Sequence, residues 1–242
     1  MKRVIHICWL IPCLLLAFVS CEIDNYDGPN ASFSGQIKDA ATGEPVGTDI
    51  QNGSVMQVYE LGWETPTAQT WVIKQTGEFQ NDMVFAARYD LVFENCNFYP
   101  FKMENFEIKK GKNTHDFEVT PYIRIKNPNI IHDATNKRII ATFSLEGGKP
   151  EVLLSAIRLY AFTDMYVGEQ VKFSTKGENF SRNFSPAQTI DGTTYTLSID
   201  LEENADQFKY SRNYYFRIGA LSSVPNVGTI RHNYSPLVVI AL

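Results

Sequence analysis

Short runs in which apolar and polar residues alternate, each ended by turn-forming residues, most constrain what this chain can fold into. Phe33, Gly35 and Ile37 alternate with polar residues, and the same period of two recurs over residues 139–145 and 195–201. Side chains that alternate in this way lie on opposite faces of a β-strand, so one face can be buried and the other exposed. The first half shows no sustained period of 3.6 residues, which a helix would require. The pattern therefore predicts an all-β fold of consecutive antiparallel β-sandwiches.

One break in this pattern divides the chain into two parts. Pro121 ends the first set of strands, and Ile123 begins the next set. A length of 242 residues suits one or two domains. We predict one β-sandwich over residues 31–121 and a second over residues 122–242.

The first 20 residues have the composition of a secretory signal peptide. Lys2 and Arg3 precede an apolar run over residues 4–19, and small Ser20 stands directly before Cys21. This order of charge, apolar segment and small residue is the signature of a cleaved export signal. The alternative is an uncleaved membrane anchor, but the apolar run is shorter than the roughly 20 residues that cross a bilayer.

The end of this segment, Ser20-Cys21, resembles a bacterial lipobox, with Phe18 standing where leucine is usual. The resemblance implies cleavage before Cys21 and lipidation of its thiol and new amino group. Residues 22–30 are polar, acidic and rich in turn formers, which suits a short tether between the lipid and the first domain. They also resemble the surface-export signal of Bacteroidetes lipoproteins, although a plain solvated linker would have the same composition. Together these resemblances imply a protein anchored by lipid in the outer membrane and facing outside.

Composition argues against several kinds of partner and site. Loss of Lys2 and Arg3 with the signal changes the net charge from -5 to -7, and an acidic protein does not favour nucleic acid. Cys96 is then the one unmodified thiol, so neither an intramolecular disulfide nor a cysteine-based zinc site can form. We predict Cys96 to be a small buried apolar residue, and we expect no cofactor and no metal.

Motifs that carry catalysis are missing from the sequence, which contains no HExxH, no GxSxG, no P-loop and no Rossmann glycine pattern. Glycoside hydrolysis needs two carboxylates about 5–10 Å apart across a cleft. Four carboxylates in the first domain are candidates for such a pair: Glu60, Glu64, Glu78 and Asp82. We interpret them as solvated loop charges. The sequence therefore predicts no catalytic residues and a protein that is not an enzyme.

Aromatic residues in one long connection are the better functional lead. Their flat faces can stack on sugar rings, while nearby amide and carboxylate groups bind hydroxyls. The predicted ligand-binding residues, on a loop over residues 51–71, are Tyr59, Trp63, Glu64, Gln69 and Trp71. The alternative is that Tyr59 and Trp71 belong to the strand core, which would leave Trp63 as the exposed aromatic residue.

Both halves resemble known modules. Residues 34–39, 42–46, 76–79 and 89–93 resemble, in order and spacing, the carboxypeptidase-regulatory-like module, a transthyretin-like sandwich. Its usual link is shorter than residues 51–72, so a loop is expected to project there. The segment YYFRIGA, which starts at Tyr214, resembles strand F of a fibronectin type III or immunoglobulin-like domain, and the resemblance implies that Tyr214 forms a tyrosine corner.

The whole arrangement resembles a family of two-domain lipoproteins without an established activity. They are encoded beside the outer-membrane transporter and the glycan-binding lipoprotein of Bacteroidetes polysaccharide-utilisation loci, and residues 21–31 (CEIDNYDGPNA) are similar to that family's start. The resemblance implies a non-catalytic accessory in glycan capture or uptake. The alternative is a structural subunit that docks on a glycan importer and has no ligand site. The implied partners are the membrane through Cys21, a glycan, the transporter and the glycan-binding lipoprotein.

Overall fold

The computed structural model describes residues 27–242, so Cys21 and the signal segment lie outside the described residues. These residues form two β-sandwich domains with no α-helix in either, and the all-β prediction is confirmed. Over the same range, no helix has the length and apolar character needed to cross a bilayer.

Domain 1 packs two four-stranded sheets face to face, one built around β1 and the other in the order β3-β2-β5-β6. The pairings are antiparallel except that β7 and β8 run parallel to β1, which departs from the wholly antiparallel expectation. The strands are β1 (Ala31–Asp39), β2 (Val55–Glu60), β3 (Ala68–Val72), β4 (Glu78–Val84), β5 (Ala87–Phe93), β6 (Phe101–Ile108), β7 (Gly111–Thr114) and β8 (Phe117–Val119).

The core of domain 1 is formed by the apolar positions of the alternating runs. Phe33 and Ile37 of β1 and Leu91 and Phe93 of β5 are fully buried between the two sheets. Gly35 lies between Phe33 and Ile37 in the alternating pattern, but its small size has a steric cause. A Cβ there would lie 1.7 Å from the backbone oxygen of His115. The parallel segment beside β1 therefore passes too close for any larger residue.

Domain 2 packs a three-stranded sheet, β13-β10-β9, against a five-stranded sheet built on β11 and β14. The alternating residues Ile139, Phe143 and Leu145 of β10 face Phe216 and Ile218 of β14 within one buried cluster. The strands are β9 (Ile123–Asp133), β10 (Arg138–Gly147), β11 (Leu153–Phe162), β12 (Ser181–Thr189), β13 (Tyr195–Asp200), β14 (Asn213–Ser223), β15 (Asn233–Tyr234) and β16 (Val238–Ala241).

A buried tyrosine braces the start of one strand in each domain. Tyr214 donates its hydroxyl to the backbone oxygen of Tyr210, four residues upstream, at 2.8 Å. Tyr89 donates in the same way to the backbone oxygen of Phe85, also at 2.8 Å. The first bond has the geometry that a tyrosine corner at Tyr214 requires; the second was not predicted from the sequence.

The strand directions give domain 1 two distinct ends. β1 begins at Ala31, which pairs with Val84 at the end of β4. Leu61, just after β2, donates its backbone N–H to the oxygen of Arg88 at the start of β5 (2.8 Å). The chain start and three turns therefore lie together at one end of the domain, while Asp39, at the end of β1, lies at the opposite end. We call the first of these the tether end, formed by residues 27–31, 61–67, 83–88 and 108–112.

A buried arginine of domain 2 holds the backbone of domain 1. Arg217, on β14, donates to the backbone oxygens of Thr48 (3.1 Å), Gln75 (3.3 Å) and Ser235 (3.1 Å). Gly47 permits this approach, because a Cβ there would lie 2.6 Å from Nη2 of the guanidinium. Burial lowers the pKa of Arg217 to about 10. The buried charge is tolerated because these acceptors replace water.

A carboxylate of domain 1 lies in the same cluster. Asp49 accepts hydrogen bonds from the Tyr234 hydroxyl (2.5 Å) and from the backbone N–H of Glu169 (3.1 Å). The ring of Tyr234 lies under the guanidinium of Arg217, with 4.2 Å between the carbon of the guanidinium and the ring centroid. Burial raises the pKa of Asp49, against the opposing effects of the Tyr234 hydrogen bond and the Arg217 charge.

Two more polar contacts extend the interface to either side of this cluster. Arg124 of β9 forms a two-pronged ion pair with Asp39, with Nε to Oδ2 at 2.5 Å and Nη2 to Oδ1 at 2.8 Å. Asn233 donates to the backbone oxygen of Asn97 (2.8 Å), and the Asn97 amide donates to that of His232 (3.1 Å). Bonds of this kind have strict geometry, so together they determine the orientation of one domain on the other.

We expect Arg217→Met to lower the free energy of unfolding by about 3 kcal/mol, because the substitution leaves buried oxygens unpaired and Asp49 uncompensated. Urea denaturation followed by fluorescence measures this change. The control is Arg182→Met, on the exposed face of β12, which should alter the value by less than about 0.5 kcal/mol. Equal stabilities of the two variants would contradict the role given to Arg217.

Candidate carbohydrate-binding surface

Most of the predicted loop over residues 51–71 is a β-hairpin. Val55–Glu60 and Ala68–Val72 pair as β2 and β3, so residues 51–54 precede the hairpin and residues 61–67 form its turn. The expectation of a long projecting loop is therefore wrong for most of its length. The physical reason is that Met56 and Val58 alternate toward the core, which holds this segment against the sheet.

Trp63 lies in that turn with its side chain in solvent. It is 67% exposed, beside Gly62, whose φ of 107° is a conformation that favours glycine. Glu64, the next residue, is also exposed. The turn therefore presents one free indole and one free carboxylate on the same short segment.

Trp71 occupies the core instead of the surface. Its side chain is 8% exposed and packs against the rings of Phe33 and Tyr89, with centroids 6.1 and 6.2 Å away. The indole N–H donates to Oε1 of Gln69 (3.3 Å). Trp71 offers no free face for stacking, so the core alternative applies to it and its assignment to the site is corrected. Gln69 remains exposed and keeps its amide hydrogens for a ligand.

Tyr59 lies on the outer face of the hairpin, half-buried, between Ala68 of β3 and Asp90 of β5. On the same face, the Thr70 hydroxyl donates to Oε1 of Gln57 (3.1 Å). Side chains alternate along a strand, so Tyr59 and the buried Met56 and Val58 cannot share a face. Tyr59 is accordingly not a core residue, and it contributes a partly accessible ring beside hydrogen-bonding groups.

Domain 2 contains a half-open cavity that the sequence did not indicate. Its volume is about 130 Å³. It is lined by Arg158, Leu159, Tyr160, Lys172, Phe173, Ser174, Thr175 and Phe180. Beside it, Glu169 accepts hydrogen bonds from Arg158 (3.0 Å), Lys172 (3.0 Å) and the Tyr160 hydroxyl (2.6 Å). These residues come from separate segments that only folding brings together, and both cations already pair with the one carboxylate.

The carboxylate of Glu169 ionises readily in spite of its surroundings. Burial raises its pKa, but the hydrogen bonds from Tyr160 and Lys172 and the charge of Arg158 outweigh burial, so the net pKa lies below the ordinary value. His232, which packs edge-on against the ring of Tyr160 at 6.3 Å, has its pKa lowered to about 4 by burial. At neutral pH the groups beside the cavity therefore include an ionised Glu169 and a neutral His232.

Three of the four carboxylates that could form a catalytic pair are divided between the two sheets of domain 1. Glu60 ends β2 in one sheet, whereas Glu78 and Asp82 lie on β4 in the other. Within residues 27–242, no group of three or more His, Cys, Asp or Glu side chains is arranged to hold a metal ion. Cys96 is 1% exposed and burial raises the pKa of its thiol to about 12, so its prediction as a small buried residue is confirmed.

Comparison with known proteins places both domains in one family. The family described as "Protein of unknown function (DUF3823) N-terminal domain" matches residues 31–120, and the "Domain of unknown function (DUF3823_C)" matches residues 123–238. No curated protein matches this chain.

Solved structures give the same result at two levels of similarity. A crystal structure of a candidate carbohydrate binding protein from Bacteroides uniformis is 54% identical over 89% of this chain and 100% of that chain, with a TM-score of 0.85. A DUF3823 family protein from Parabacteroides merdae is 20% identical over 88% of this chain and 100% of its own, with a TM-score of 0.68. One from Bacteroides ovatus is 18% identical, covers 87% and 98%, and has the same TM-score of 0.68, so these two show the fold alone. With both domains matched and a relative of this identity, the chain belongs to the DUF3823 family.

Proposed function

We propose that this protein is a non-catalytic accessory in glycan capture or uptake, and that it binds carbohydrate through the turn of the β2–β3 hairpin. The observation that carries the proposal is the exposure of Trp63, at 67%, on a turn that places Glu64 beside it. The description of the 54% identical relative from Bacteroides uniformis as a candidate carbohydrate binding protein supports it.

Trp63 and Tyr59 would supply the stacking faces of such a site. Tyr59 is the next-to-last residue of the strand that leads into the turn, and the exposed Gln69 follows the turn on β3. The carboxylate of Glu64 can accept hydrogen bonds from sugar hydroxyls, and the amide of Gln69 can donate them. Gln69 pairs with Val58 and Tyr59 with Ala68, so Gln69 and Tyr59 project from opposite faces of the hairpin, and a sugar chain that contacts both would have to cross its edge near the turn.

Binding by such a site would be weak for a single sugar. A stacked aromatic pair contributes only on the order of 1 kcal/mol beyond area burial, so we expect a small site of this kind to have dissociation constants in the roughly micromolar to millimolar range. Several copies on one membrane would engage one polymer, so avidity would raise the overall affinity.

We also propose that the protein is held in the outer membrane by lipid on Cys21 and faces the outside. The signal composition of residues 1–20 and the lipobox-like Ser20-Cys21 support this location. The tether would then hold the tether end of domain 1, and with it the turn that carries Trp63, close to the membrane surface. A glycan held there would lie near an importer, such as the transporter that the polysaccharide-utilisation context implies.

We expect Trp63→Ala to reduce retention on a polysaccharide that the unmodified protein binds, measured by affinity electrophoresis across a panel of soluble glycans. The reason is loss of the exposed stacking face. The control is Tyr210→Ala, in domain 2, which removes an aromatic side chain that is 61% exposed and should leave retention unchanged. If no glycan retains the unmodified protein, the alternative of a docking subunit without a ligand site replaces the binding function.

The two tryptophans of the hairpin should differ in their effect on stability. Trp71→Ala opens a cavity in the core of domain 1 and should lower the free energy of unfolding by about 3–5 kcal/mol. Trp63→Ala should change it by less than about 0.5 kcal/mol, as at an exposed site. Thermal and urea unfolding of both variants test this difference, and an unfolded Trp63→Ala protein would assign Trp63 to the core.

Substitution of Cys21 tests the lipid anchor. Cys21→Ala removes the thiol that would carry the lipid, so the protein should move from the detergent phase to the aqueous phase in a detergent partitioning assay. Cys96→Ala is the matched control and should leave partitioning unchanged. Identical partitioning of the Cys21→Ala variant and the unmodified protein would rule out lipidation at this site.

A further inference from the structure

The tether end of domain 1 exposes apolar side chains beside the point where the chain reaches the first strand. Met83, the last residue but one of β4, is 72% exposed, and Phe85, in the turn that follows, is 42% exposed. The backbone N–H of Ala86 donates to the side-chain oxygen of Asn30 (2.9 Å), and the N–H of Asn30 donates to the oxygen of Val84 (3.1 Å). These bonds attach the incoming chain directly to the turn that carries Phe85.

The same end carries a cluster of basic side chains. Lys109, Lys110 and Lys112 are exposed around Gly111, whose N–H donates to the backbone oxygen of Asn30 (2.9 Å). Of the three, Lys109 is partly compensated by Glu107, with 4.0 Å between Nζ and the carboxylate oxygen. The tether end also contains Asp27, Glu64 and Arg88, so the excess of positive charge is local to the β6–β7 turn, in a chain whose net charge is -5.

The length of the tether limits how far this end can lie from a membrane. Asn30 lies nine positions after Cys21, and an extended chain spans at most about 3.3–3.6 Å per residue, so the reach is about 30 Å. β1 runs away from this end for nine residues, or about 30 Å at the rise of a strand. With the tether end against a membrane, the end of β1 nearest domain 2 would therefore lie about 30 Å farther from it.

We propose that the tether end is a membrane-contacting surface, on which Met83 and Phe85 insert into the headgroup region of the bilayer while Lys110 and Lys112 contact anionic lipid headgroups. Apolar and aromatic side chains flanked by lysines are the composition that binds the interface of a membrane. Each lysine near an anionic surface contributes attraction that falls off within a Debye length. The inference rests on the membrane attachment proposed above, and it uses the β4–β5 and β6–β7 turns of this end, whereas the proposed glycan site uses the turn that carries Trp63.

A membrane-contacting surface beside the tether would orient domain 1 on the membrane as well as attach it. A single lipid anchor leaves a domain free to rotate about its tether, whereas a second contact beside the tether restricts it. With Met83, Phe85 and the lysines on the bilayer, β1 points away from the membrane and the interface with domain 2 lies on the far side. Domain 2 is then presented to the outside with the cavity beside Glu169.

A nitroxide label on Met83→Cys tests the contact in the full chain reconstituted into vesicles of phosphatidylethanolamine and phosphatidylglycerol at a ratio of about 3:1. Lipid on Cys21 leaves its thiol unavailable, and burial protects Cys96, so the label reports the new thiol. The matched control is Ile131→Cys, which is 47% exposed on β9 of domain 2. Collision with oxygen, relative to collision with a water-soluble nickel chelate, should be severalfold higher for the label at residue 83 than for the control.

Two further measurements make the outcome decisive. In vesicles of phosphatidylethanolamine and phosphatidylcholine, or in the Lys110→Glu, Lys112→Glu variant, the ratio at residue 83 should fall toward that of the control. Equal ratios at residues 83 and 131 in the anionic vesicles would overturn the proposal, and a label shielded from both reagents would instead indicate contact with a second copy of the chain. A ratio at residue 83 that stays high in the double variant would overturn the part assigned to the lysines.

The result is separable from the glycan-binding proposal. The double lysine variant and Met83→Cys should retain glycan as the unmodified protein does, since neither touches Trp63, Tyr59 or Gln69. Conversely, if Trp63→Ala lowers the label ratio at residue 83 and leaves glycan retention unchanged, Trp63 belongs to the membrane-contacting surface and the glycan site is wrong. Failure of either proposal therefore leaves the other standing.

Discussion

The guanidinium of Arg217 is the interaction on which the arrangement of this molecule depends. It crosses from a central strand of domain 2 to two backbone oxygens of domain 1, in a setting where only 4% of the residue remains exposed. A buried charge is costly unless every donor finds an acceptor. The backbone of residues 47–49 and 75 must therefore take one conformation when the domains meet.

Asp49 and Tyr234 complete this cluster and explain why it joins the domains in one orientation. Apolar contacts are tolerant of small shifts, whereas hydrogen bonds of 2.5–3.3 Å lose strength when donors and acceptors move apart. Gly47 and Gly168 lie where a side-chain carbon would collide with the guanidinium and with the Asp49 carboxylate respectively. The interface is thus built for close polar contact, and the two domains behave as one body in which the tether end and domain 2 keep their separation.

Because the two domains hold one orientation, the position of a surface group on one domain also fixes where it lies relative to the other domain. Because β1 leads from the tether end to the interface, Trp63 and Met83 lie at the opposite end of domain 1 from domain 2 and its cavity. The proposed glycan contact and the proposed membrane contact are both properties of the first end. If the domains were joined by a flexible link, neither contact would fix the direction in which domain 2 points.

The alternation of residues was enough to predict strands, sheets and the burial of Phe33, Ile139 and Phe143, because a period of two decides which face of a strand is apolar. The composition of residues 1–20 predicts an export segment, and the position of Trp63 beside Gly62 indicates an exposed indole. Only the tertiary structure decided that Trp71 lies in the core, since whether an aromatic residue of a short strand faces inward depends on its cross-strand partner, here Met56. The Arg217 cluster was beyond the reach of sequence patterns, because its members are separated by up to 185 positions and meet through contacts between domains that no local period encodes. The cavity beside Glu169 lies within domain 2, where residues of the connection between β11 and β12 fold back on β11, and such loop contacts follow no period either.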